Sequence, residues 1–163
     1  MIELYTKNRW VYYLRGICTS IMSRIVAIDY GMKRVGVAVT DPLKIIATPL
    51  TTINTADSLD FLQKYMKQEE VDTLVVGMPK HLNNTPSPMT AIVTKFIKTL
   101  QKTFPDKQII PHDERYTSKI ALASMVEGGI KKKDRRNKAN LDKLSATIIL
   151  QSFLASCQTN CRS

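Results

Sequence analysis

Apolar residues gather in short runs along this chain, and the spacing inside each run differs. Residues 24–30 (RIVAIDY) and 34–40 (RVGVAVT) are rich in Val and Ile and are joined by a short GMK turn. That pattern predicts two strands in an antiparallel hairpin. Residues 44–53 (KIIATPLTTI) supply a third strand, which Pro49 confines to a sheet edge or breaks late. Leu59, Leu62 and Met66 recur at helical spacing, so a helix follows over 58–70. Residues 71–77 (VDTLVVG) are apolar nearly throughout, as in a parallel strand buried on both faces.

After the loop MPKHLNNTPSP, residues Met89, Ile92, Val93, Phe96, Ile97 and Leu100 line one face of an amphipathic helix. A further strand is predicted over 107–112. Thr117 is a candidate N-cap for a helix to Glu127, which Gly128-Gly129 would stop. A last helix spans about 140–155. A hairpin first, then strands alternating with helices, implies an α/β fold. Its sheet is mixed and five-stranded, antiparallel in the first strands, with helices on both faces.

Composition narrows the class. The chain has 163 residues, enough for one domain with a real core, and 44% of them are hydrophobic. Its net charge of +10 favours an anionic partner, with nucleic acid ahead of membrane. No apolar run approaches the roughly 18 residues of a membrane span. Cys18, Cys157 and Cys161 form no CxxC pair and no ligand cluster with His81 or His112. Structural zinc and a disulfide framework are thereby disfavoured, and a reducing, cytoplasmic setting fits.

Residues 1–21 carry Lys7, Arg9 and Arg15 through their length, so they lack a signal-peptide core, and they show no clear period. Met22 stands two residues before the first strand. The expected organisation is therefore an N-terminal extension over 1–21 with Met22 as natural start, one domain over 22–157, and a tail over 158–163. Taking three cations and Glu3 away from +10 leaves +8, so the basic character belongs to the domain.

Asp29 ends the first strand on the same side as Ile25 and Ala27. A carboxylate on a buried face is costly unless a metal ion or cation holds it. An ordinary turn aspartate before Gly31 fits equally well. Asp113, Glu114 and Arg115 follow the strand at 107–112, at the carboxyl ends of parallel strands, where ligands gather in α/β folds; a solvated loop is the alternative. Asp142 lies near the start of the last helix and shares a face with Ala146, Ile149 and Phe153. An acid there also suits the helix dipole. Three acids from two strand ends and one helix start could converge on a divalent cation, and such ions support phosphodiester cleavage.

Lys131, Lys132, Lys133, Arg135, Arg136 and Lys138 form the densest charge run, close in sequence to Asp142. No aromatic residue interleaves them, so recognition of a phosphate backbone is favoured over base stacking.

Four stretches, IVAIDYGMKRVGVAVTD, VVGMPKHLNNT, HDERYTS and NLDKLSATIILQSFL, resemble in order the signature blocks of the YqgF-type family. These are bacterial RNase H-like proteins, described as Holliday-junction resolvases and as nucleases that process the 5′ end of pre-16S ribosomal RNA. The resemblance runs over about residues 23–155. It implies an RNase H-like fold and an acidic site binding Mg²⁺ or Mn²⁺ through Asp29, Glu114 and Asp142. It also implies phosphate contact by Lys33, Arg34 and Arg115, with Asp113 ranking below Glu114 as a ligand. The second block departs from the family pattern: its NNTPSP has prolines and no Gly.

The expected activity is metal-dependent endonucleolytic cleavage of structured RNA, with the pre-16S rRNA 5′ end preferred, by a monomer or weak homodimer. Resolution of branched DNA is the alternative within the same chemistry, and a non-catalytic RNA-binding assembly factor is the alternative outside it. Phosphate transfer of the actin-like ATPase kind is less well supported, because that superfamily needs a second Gly-rich phosphate loop.

Overall fold

Strand formation begins before the expected hairpin. β1 (Glu3–Thr6), β2 (Arg9–Leu14) and β3 (Ile17–Ser20) make a three-stranded antiparallel meander. Its register pairs Leu4 with Val11 and Tyr13 with Cys18. No period marks these residues in the sequence. The run WVYYL is nonetheless rich in the aromatic and β-branched residues that favour extended backbone. The computed structural model describes residues 3–6, 9–14, 17–20, 23–79, 88–113 and 138–160.

The main sheet holds β4 (Arg24–Tyr30), β5 (Arg34–Thr40), β6 (Ala47–Asn54), β7 (Val71–Met78) and β8 (Gln108–Asp113). Their order is β6-β5-β4-β7-β8. β4, β5 and β6 pair antiparallel, whereas β7 and β8 run parallel to β4. This is the mixed five-stranded sheet expected from the sequence. Pro49 falls in the edge strand β6, opposite Ala38, where the register with β5 shifts. A residue without a donor is tolerated at such a place.

Strand alternation divides the core into two layers. Val26, Ile28, Val35, Val37, Leu74 and Val76 point to one face. There they meet Leu62 of α1 (Ser58–Gln68) and Val93, Phe96, Ile97 and Leu100 of α2 (Pro88–Thr103). Ile25, Ala27, Ala38 and Val75 point to the other, against Ala146, Ile149, Leu150 and Phe153 of α3 (Lys138–Asn160). Both faces of the sheet are thus covered. Tyr30 continues the first layer and stacks on Phe96, with ring centroids 4.1 Å apart.

α3 is longer at both ends than its apolar spacing predicts. The helix expected from Thr117 to Glu127 and most of the loop containing NNTPSP lie outside the described residues.

Candidate active site

Asp29 follows Ile25 and Ala27 on the face that α3 covers, and it sits near the carboxyl end of β4. Burial there, with a smaller push from the charge of Asp142, raises its carboxyl to about 7. Both influences oppose ionisation, and among the described residues no cation counters them.

What brings Asp142 so close is an absence of side chain. Gly36 pairs directly with Asp29 across the hairpin. A Cβ on Gly36 would lie 2.1 Å from the backbone oxygen of Asp142 and 2.5 Å from its carbonyl carbon. The first turns of α3 therefore rest on the bare backbone of β5, and Ala27, Ala38 and Ala146 keep the next layer thin. Gly36 is a site residue that sequence reasoning did not single out. Its signal was present as the second Gly of DxGxxxxG, which fits many unrelated chains.

Arg34 opens β5, and its Nε donates to Oδ2 of Asp142 at 3.0 Å. The turn that carries it is tied on both sides. Gly31 N–H donates to the Arg34 carbonyl at 2.9 Å, and Thr55 Oγ1 donates to the Gly31 carbonyl at 2.8 Å. A side chain on Gly31 would collide with that same Arg34 carbonyl, 2.6 Å from the added carbon. Lys33 is exposed on the turn, where its carbonyl accepts from Thr55 N–H.

At the far side of the face, the His112 ring meets Phe153 edge-on and lies 3.0 Å from Ser152 Oγ. Burial lowers the His112 pKa, while Asp113 next to it works in the opposite direction. Asp113 ends β8 and pairs with Met78.

Of the expected ligands, the structure brings Asp29 and Asp142 together. Glu114 lies outside the described residues, as do Arg115, Lys131, Lys132, Lys133, Arg135 and Arg136. Lys138 begins α3. Among the described residues no third acid, His or Cys completes a metal-binding group. The donor set still suits a hard cation. Two carboxylates influence each other's charge, one of them buried with no positive partner among the described residues, and Mg²⁺ commonly takes only one or two protein carboxylates.

The family model described as "RuvX: Holliday junction resolvase" matches residues 23–156. This chain belongs to the RuvX family. The RuvX match begins one residue before β4 and takes in every residue of the site described above. A resolvase cuts phosphodiester bonds, so the family is one of nucleases. A relative from Amoebophilus asiaticus is 64% identical over 83% of this chain and 96% of its own length. One from Bacteroides fragilis is 52% identical over 82% and 96%. Both carry the name "Putative pre-16S rRNA nuclease". Among solved structures, T. thermophilus RuvC in complex with a Holliday junction substrate is 17% identical. It covers 83% of this chain and 96% of that one, with a TM-score of 0.48. Among the described residues no helix is long and apolar enough to cross a membrane.

Proposed function

We propose that this RuvX-family protein is a divalent-metal-dependent endonuclease whose substrate is the 5′ end of pre-16S rRNA. Asp29 and Asp142 would hold the ion, Mg²⁺ or Mn²⁺, together with Glu114. Glu114 is the residue directly after β8 in the sequence. The bound ion would supply positive charge for the attacking water and the departing oxygen. The chain's own part is to hold two acids rigidly on a thin layer, to exclude water from one of them, and to offer cations to phosphate. Lys33, Arg34, Arg115 and the run from Lys131 to Lys138 are the residues for that last task.

The observation that carries this reading is the enforced proximity of Asp29 and Asp142 at Gly36. Forcing two ionised carboxyls together, one of them buried, is destabilising unless a cation joins them or the buried one keeps its proton. A purely RNA-binding factor has no use for such a pair. The names of the relatives favour ribosomal RNA as substrate, and the family description keeps branched DNA as the second reading.

The test is cleavage by wild type, Asp29→Asn and Asp142→Asn of two substrates, an RNA spanning the 5′ end of 16S rRNA and a four-way DNA junction. With Mg²⁺ or Mn²⁺ present, both variants should bind nucleic acid yet cut it at least about 10²-fold more slowly. Preference for the RNA supports the rRNA reading, and preference for the junction supports the alternative. A wild type as inert as its variants on both substrates would leave the binding-factor reading.

A further inference from the structure

We propose that Arg34 stands in for the metal ion: its guanidinium occupies Asp142 in the metal-free protein, yields that carboxylate to an arriving divalent cation, and is thereby released to substrate phosphate. The inference rests on the metal-site reading above and adds to it a competition inside the site.

The geometry supports an exchangeable contact. Nε of Arg34 reaches Oδ2 of Asp142 at 3.0 Å, and the two side chains keep 39% and 26% of their surface exposed. An ion pair this open to solvent is weak and can be broken without unfolding anything. The Arg34 backbone has no such freedom. It is held by pairing to Asn54 and by the bond from Gly31 to its carbonyl. Only the side chain needs to move.

Arg34 also borders an open groove of about 470 Å³, which it lines with Thr52, Asn54, Asp57, Asp60 and Lys64. The released guanidinium therefore has room on the groove side of β5, away from Asp142, and its planar fork suits a phosphate better than a lysine would. A cation that must displace Arg34 binds less tightly than it would to a vacant pair. Once bound, it raises the affinity for phosphate. The two couplings are a single linkage seen from either ligand.

Calorimetric titration of the metal-free full chain with Mn²⁺ tests this, comparing wild type with Arg34→Met, Arg34→Lys and Lys64→Met. Lys64→Met removes the same charge from the same groove and controls for general electrostatics. Arg34→Met should tighten Mn²⁺ binding about fivefold, Lys64→Met should change it by less than about twofold, and Arg34→Lys should fall near wild type. Thermal melting gives a second readout that does not need activity. Arg34→Met should melt below wild type without metal, and saturating Mn²⁺ should close most of that gap.

Equal tightening by Arg34→Met and Lys64→Met would overturn the competition while leaving the metal site standing. Weaker binding by Arg34→Met would also overturn it, because Arg34 would then be helping to position the ligands. If no variant and not the wild type takes up Mn²⁺, this inference and the metal-site reading fall together.

Discussion

Gly36 lies directly beneath the backbone of Asp142, so close that a single methyl group at Gly36 would stand 2.1 Å from the Asp142 carbonyl oxygen. Because Gly36 also pairs with Asp29, one missing side chain sets the separation of the two site acids. The contact joins the second strand of the hairpin to a helix more than a hundred residues later.

Gly36→Ala must push α3 away from β5, since the atoms it meets are backbone and cannot swing aside. A shift of about 1 Å at a reacting centre costs about 10²-fold in rate. Cleavage by Gly36→Ala should fall by that order, with some loss of stability. Ile149→Ala is the control. It opens a cavity in the same layer at a cost of about 2–5 kcal/mol, yet leaves the Gly36 contact intact. Assayed well below its melting temperature, it should keep most of its activity. Equal activity losses in the two variants would mean that packing in general, and not this contact, governs the site.

Asp29 makes the stability of the metal-free protein depend on pH. The unfolded chain loses the Asp29 proton near 3.8, whereas the folded chain keeps it up to about 7. Between those values the folded state binds more protons, so stability falls as pH rises through the interval and stays low above it. Asp29→Asn removes the effect. In metal-free buffer the variant should gain on wild type as pH rises from about 4 to 8 and melt higher at the upper end. Added Mn²⁺ should raise the wild type and narrow the difference. A melting difference that does not change with pH would rule this out.

The basic run from Lys131 to Lys138 stands just before Asp142 in the sequence, and its last residue begins α3. Replacing Lys131, Lys132 and Lys133 together with Ala should weaken nucleic-acid binding. It should also flatten the plot of log affinity against log salt by about two to three units, one for each phosphate no longer neutralised. Binding isotherms at several salt concentrations measure this directly. An unchanged slope would send the nucleic acid to another face.

Much of the architecture was legible from local pattern. A strand alternates every residue and a helix returns every 3.6, so the hairpin at 24–40 and the apolar face of α2 could be read from spacing, and the buried strand from its apolar run at 71–77, one residue short of its observed end at Met78. The same alternation put Asp29 on the side of Ile25 and Ala27, and helical spacing put Asp142 with Ala146, Ile149 and Phe153. The N-terminal meander was not legible, because β1, β2 and β3 show no regular alternation of apolar and polar positions.

The order of residues along the chain determined on its own which side chains share a face, since that follows from backbone geometry within a few residues. It could not determine which faces meet, or how closely. That β5 turns Gly36 and Ala38 towards α3, that Asp142 comes to rest on Gly36, the partner of Asp29, and that Arg34 takes hold of Asp142 across 108 positions all depend on the thickness of the packed layer. That thickness is set jointly by small residues on β4, β5 and α3, and no local period encodes a contact made between elements so far apart.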